Sequence, residues 1–181
     1  MITIWLLGLS SAGKTTISRD LTAKLASMGY NVEILDGDEV RKNLGGGFSY
    51  DARHEQIKRI RYFCRILNKH GIVTIVAAIT PYESWRVENR KKIPHYLEVY
   101  VNAPIELCQK RDVKGLYKRA ADGDLKNMTG IDDPFEEAYN SDIICYTEDE
   151  DVEESVDKIY CKFVEVMKDA IRERRGKTGT K

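Results

Sequence analysis

The chain has 181 residues, 42% of them hydrophobic, enough for one domain with a sheet buried on both faces; a second domain is not expected. Its 29 Lys and Arg balance 29 Asp and Glu, so no overall field draws it to nucleic acid or an acidic membrane, and recognition must come from local sites. Cys64, Cys108, Cys145 and Cys161 stand far apart with no C-x-x-C pair, which argues against zinc or a disulfide framework and for reduced, mostly buried thiols.

The apolar start is too short for a signal peptide, and no stretch approaches the roughly 20 apolar residues of a membrane span, so a cytoplasmic protein is expected. Ile2 to Leu7 reads as a strand and runs directly into Gly8-Leu9-Ser10-Ser11-Ala12-Gly13-Lys14-Thr15. The spacing G-x-x-x-x-G-K-[ST] between strand and helix is a Walker A phosphate loop. Gly8 and Gly13 free the backbone to aim N–H groups at phosphate oxygens, Lys14 bridges the β- and γ-phosphates, and the Thr15 hydroxyl is a Mg²⁺ ligand. Gly8, Ser10, Ser11, Ala12, Gly13, Lys14, Thr15 and Thr16 are therefore the expected ATP-binding residues.

A helix from Thr15 to Met28 follows, then a strand, Asn31 to Leu35, ending at Asp36-Gly37-Asp38. Two carboxylates at a strand's C-terminal end lie where open α/β sheets bind ligands. One can serve a hydrated metal and the other an acceptor hydroxyl. Helices are predicted over 38–44, carrying Arg41, and over 50–69, with one apolar side and one basic side. The run Ile72 to Ile79 reads as a strand covered on both faces, ending at Thr80-Pro81-Tyr82. A polar helix over 83–92, a strand over 96–101 and a helix over 105–111 come next. Residues 112–137 are charged and glycine-punctuated with no sustained apolar face, which suits a mobile lid. A fifth strand, 143–146, and a closing helix, 152–171, complete the domain.

This alternation predicts an α/β, three-layer phosphate-loop kinase fold, a five-stranded parallel sheet with helices on both faces and a mobile lid. The domain is expected over 1–175, leaving 176–181 as a flexible basic tail. A short chain, a charged lid and arginines near strand ends favour a small-molecule kinase over a switch or binding module, and zero net charge gives a nucleic-acid kinase no support.

Together Gly8 to Thr16, Leu35-Asp36-Gly37-Asp38 with Arg41, Gly47-Phe48-Ser49, Thr80-Pro81-Tyr82, Arg111-Asp112-Val113-Lys114-Gly115-Leu116-Tyr117 and Thr129-Gly130-Ile131-Asp132 follow the motif order of adenylylsulfate kinases. The chain resembles that family from Met1 to about Thr147. The resemblance implies transfer of the ATP γ-phosphate to the 3′-hydroxyl of adenosine 5′-phosphosulfate, with Mg²⁺ and, as is common in the family, a homodimer. It places Lys14, Asp36, Asp38 and Lys114 in catalysis, Thr15 and Asp36 at the metal, and Arg111 on the ATP side. Arg41 and Arg53 would hold the phosphosulfate and Phe48 would stack on the acceptor base. Gln56, Ile79, Thr80, Pro81, Tyr82, Met128 and Thr129 complete the acceptor site with Asp38 and Lys114.

Five positions depart from the family's usual residues, one of them Ala52, which stands for the aspartate before Arg53. Ser11 stands for a loop glycine, tolerable where its backbone angle is ordinary. Thr80 stands for serine, Gln56 for asparagine, and Met128 for the phenylalanine expected opposite Phe48. The last two fall where the acceptor is recognised, so a kinase acting on another activated nucleotide, such as cytidine diphosphoramidate, is the alternative.

Overall fold

The computed structural model describes residues 1–178, and side chains as far as residue 170. Five strands, β1 (Thr3–Leu7), β2 (Val32–Asp36), β3 (Val73–Ala77), β4 (Tyr96–Asn102) and β5 (Ile143–Tyr146), form one sheet in the order β2-β3-β1-β4-β5. Every neighbouring pair is parallel, as expected. Ile4 of the central strand pairs with Ile75 on one side and Leu97 on the other.

The period-two alternation of β1 divides the core. Ile4 and Leu6 face a layer with Ile17 and Leu21 of α1 (Lys14–Ser27) and Ile159 and Phe163 of α7 (Val152–Thr178). Trp5 and Leu7 face the opposite layer, with Ile57 and Ile60 of α3 (Tyr50–Lys69) and Trp85 of α4 (Glu83–Lys92). Three short helices, α2 (Gly37–Leu44), α5 (Ile105–Arg111) and α6 (Leu116–Ala121), lie in the connections. Successive strands run outward from β1 in opposite directions, so a crevice opens beyond its C-terminal end. The phosphate loop occupies that switch point.

Gly8 is the residue on which this junction depends. Its φ is +143°, and a Cβ there would lie 2.2 Å from the Val101 carbonyl oxygen of β4. Neither backbone can move without shifting a central strand. We expect Gly8→Ala to destabilise the protein by about 3 kcal/mol, read as a fall of roughly 6–12 °C in thermal midpoint.

Several expectations are corrected. The 112–137 segment contains α6 and buries Tyr117, Met128 and Thr129, so it is anchored to the core at these points although most of it is exposed. Its apolar residues are too sparse to create a period, and distant polar contacts hold them down. The side of α3 read as basic is not all exposed: Arg61 is buried and pairs with Glu88 at 2.9 Å. The closing helix does not stop at Ile171 but runs to Thr178. Arg172 to Arg175 are strong helix formers, and one glycine costs only about 1 kcal/mol. The expected tail therefore begins inside α7 at 176–178; the rest of it, 179–181, lies outside the described residues. Cys64, Cys108 and Cys145 are buried, while Cys161 is exposed.

Candidate active site

The loop from Gly8 to Lys14 is built from left-handed residues, Ser11 at φ +60° and Gly13 at +113°, which fold the chain back before α1 starts. The angle at Ser11 is therefore not ordinary. A side chain there costs about 1–2 kcal/mol, a cost glycine avoids. Lys14 is only 9% exposed, and its Nζ donates to the Gly8 carbonyl at 3.0 Å and the Leu9 carbonyl at 2.6 Å. Burial, reinforced by the nearby Lys114 ammonium, lowers its pKa to about 8.

Beside the loop, the Thr15 hydroxyl donates to Asp36 Oδ2 at 3.3 Å. The other oxygen of Asp36 accepts the Asp38 N–H at 2.8 Å and caps α2. Both oxygens of Asp36 thus already have fixed jobs. Asp38, by contrast, reaches across the crevice. One of its oxygens accepts from Arg41 at 3.0 Å and the other is paired with Lys114. Burial pushes the Asp38 carboxyl up, but the bonded Lys114 ammonium, with Arg41 and Lys14 close by, outweighs this and holds it below the usual carboxylate value.

These groups surround a cavity of about 610 Å³ at the C-terminal edge of the sheet. Of the expected site residues, all but Gly8, Ala12 and Tyr82 line it. Gly8, whose backbone abuts Val101 of β4, and fully buried Ala12 are loop residues that do not line the cavity. Tyr82 packs its ring on Tyr50 and Trp85 and donates its hydroxyl to Asp133 at 2.9 Å.

The acceptor-side residues are tied to one another. Arg41 Nε donates to Gln56 Oε1 at 3.1 Å, and the Gln56 amide nitrogen donates to the Gly37 carbonyl. The Arg41 guanidinium also stands 4.6 Å from the Phe48 ring centroid. Arg53 is buried and donates to Thr129 Oγ1 and Asp133 Oδ2, both at 2.7 Å. The Thr80 hydroxyl accepts from Trp5 Nε1 at 2.8 Å. Met128 is 6% exposed and belongs to the core layer as well as the cavity wall.

Sequence reasoning missed two groups. Asp133, the common partner of Arg53 and Tyr82, follows the Thr129-Gly130-Ile131-Asp132 motif with nothing local to mark it. Thr147, Glu150, Asp151, Val152 and Ser155 line the far end of the cavity. Arg111 donates to the Thr147 hydroxyl at 3.0 Å and its carbonyl at 2.7 Å, and Thr147 Oγ1 donates to Ala12 at 2.8 Å. Thr147 follows the C-terminal end of β5, and the rule that ligands gather at strand C-termini would have found it.

A phosphate loop at the switch point of a parallel sheet, facing a carboxylate–lysine pair across one crevice, defines a nucleotide-dependent phosphotransferase of the phosphate-loop kinase class. The likeness to a shikimate kinase of Acinetobacter baumannii, at TM-score 0.53 and 22% identity over 91% of this chain and 94% of that one, reflects the same fold.

The chain belongs to the adenylylsulphate kinase family, whose model matches residues 1–146. It is 51% identical to the adenylyl-sulfate kinase of Microcystis aeruginosa over 91% of this chain and 92% of that protein. It is 52% identical to that of Gloeothece citriformis over 90% and 93%. The structure of the Mycobacterium tuberculosis APS kinase in complex with AMPPNP and APS superposes at TM-score 0.84, with 30% identity over 92% of this chain and 97% of that one. Family members are phosphotransferases with a hydroxyl acceptor.

Proposed function

We propose that the protein transfers the γ-phosphate of ATP to the ribose 3′-hydroxyl of adenosine 5′-phosphosulfate, giving 3′-phosphoadenosine 5′-phosphosulfate. The observation that carries this reading is the convergence in one cavity of the Lys14 loop, the Asp38–Lys114 pair and the Arg41–Phe48 stack. It is joined by half-identity to adenylyl-sulfate kinases over nine-tenths of the chain. The same reading takes residues 1–175 as one domain working as a cytoplasmic homodimer.

The positions of these residues support the roles we assign them. Backbone N–H groups of the loop and the α1 N-terminus bind the donor phosphates. Lys14 exchanges its carbonyl partners for phosphate oxygens. Arg111 and Thr147 bound the donor end, while Arg41, Phe48 and Gln56 bound the acceptor end. Asp38 orients the acceptor hydroxyl, and Lys114 neutralises charge between the two reactants, as a loose transition state requires. Mg²⁺ fits the residues present, since Thr15 and Asp36 offer hard oxygens 3.3 Å apart beside the loop. Bound there by Thr15 and by Asp36, directly or through water, it supplies charge neutralisation to the phosphates.

A second reading rests on Met128 and Gln56. Methionine packs on a base through contacts of about 0.3–1.5 kcal/mol but aligns it less than a ring does, and both Gln56 amide ends are engaged within the protein. Cytidine diphosphoramidate is therefore the competing acceptor. We expect ADP release from Mg-ATP to be fast with adenosine 5′-phosphosulfate and slow with cytidine diphosphoramidate, CDP, AMP or no acceptor, and Met128→Phe to lower the acceptor KM a few-fold. Preference for a cytidine compound would reverse the assignment and make Met128 and Gln56 specificity residues.

A further inference from the structure

We propose that Ser11 is a positioning residue that latches the lid to the phosphate loop and thereby sets Lys114 over Asp38; this rests on the phosphoryl-transfer reading above. The Ser11 Oγ accepts the Val113 N–H at 3.3 Å, although the two are 102 residues apart. Val113 immediately precedes Lys114, so a bond at its backbone fixes where the lysine stem starts. On the other side of it, Asp112 holds the lid helix by accepting the Tyr117 N–H at 3.1 Å and the Lys118 N–H at 3.0 Å. Hydrogen bonds thus tie the segment down from the latch to the lid helix.

Adjacent loop residues grip the same segment. Tyr117 donates its hydroxyl to the Ser10 carbonyl at 3.2 Å, and Arg111 reaches the Ala12 carbonyl at 3.5 Å. Those two contacts use the loop backbone and are indifferent to side-chain identity. The Ser11 contact is the one that needs a hydroxyl. This accounts for a side chain at a left-handed position that glycine would occupy without strain. The loop that holds the phosphates and the lid that carries Lys114 are joined through it, so Lys114 reaches Asp38 from a lid seated on the loop.

Two variants separate the hydroxyl from the backbone angle. Ser11→Ala keeps the strained angle and loses the hydroxyl, whereas Ser11→Gly relaxes the angle and loses the hydroxyl. Because glycine suits the angle, at least one variant folds as well as the parent. If the latch acts through Lys114, both lower kcat for acceptor phosphorylation roughly three- to ten-fold, the worth of one hydrogen bond, with ATP KM changed less than about two-fold. Both also raise the share of ATP hydrolysed to phosphate instead of transferred, and speed hydrogen exchange at the Val113 amide. Loss in Ser11→Ala alone, or wild-type kcat and partitioning in both variants, overturns the latch. A wild-type protein that phosphorylates no nucleotide acceptor would instead sink the kinase reading, before either variant is compared.

Discussion

Lys14→Ala lowers turnover roughly a thousand-fold, the scale set by removing a desolvated group that stabilises transition-state charge. The effect is large because the ammonium is buried, with its pKa lowered to about 8. A lysine in water meets phosphate through a screening solvent, while this one meets it where little water remains. The cost to the fold is smaller. The variant leaves the Gly8 and Leu9 carbonyls without this donor but also removes a charge that burial disfavours, and the two act in opposite directions.

The lowered pKa gives an independent check. Bound phosphate favours the charged amine, so between pH 8 and the ordinary lysine value ATP binding takes up a proton. ATP affinity therefore falls as pH rises above about 8, and calorimetry in buffers of different ionisation enthalpy reports proton uptake at pH 9 and little at pH 7. Lys14→Ala abolishes the uptake. The stability sign runs the other way: the unfolded lysine binds the proton more tightly than the folded one, so this group's contribution is least favourable below pH 8 and improves from there toward pH 10.5. Wild-type turnover in the variant would remove the loop from the chemistry.

The parts of the site that were legible are those whose partners are close in sequence or whose pattern is repeated. The phosphate loop could be read because strand, glycines, lysine and helix are contiguous, and the sheet because a strand buried on both faces must be a continuous apolar run. Arg53 was found, but its setting was not. Asp133 and Thr129 reach it across 80 and 76 residues, a distance over which no local pattern operates. Ser11 shows a different limit. Its residue type was visible as unusual, but the sign of its effect depends on φ and on the Val113 amide, which exist only in the folded chain. The burial of lid residues Tyr117 and Met128 was hidden for a third reason: each is a single apolar residue in a polar segment.

Asp38→Asn separates the two strand-end carboxylates, which sequence alone could not rank. Asp36 has one oxygen capping α2 and the other facing Thr15, so its replacement disturbs both the helix start and the metal side. Asp38 spends its oxygens on Arg41 and Lys114 from opposite sides of the crevice. An asparagine of the same shape keeps the Arg41 bond but puts a donor amide nitrogen where the second carboxylate oxygen stood, so it no longer accepts the acceptor's hydroxyl there, and it leaves Lys114 without its counter-charge. We expect kcat to fall about a hundred- to a thousand-fold, while ATP affinity, set by the loop, changes by no more than about three-fold. Because the neighbouring cations hold the Asp38 carboxyl below its usual value, the acid limb of the wild-type kcat profile lies below the ordinary carboxylate range. The carboxylate is then fully ionised at neutral pH and acts by orienting the hydroxyl more than by removing its proton early. Equal losses in kcat and in ATP affinity would mean that Asp38 serves the nucleotide site as a structural carboxylate, and Lys114 would then be its counter-ion with no part in transfer.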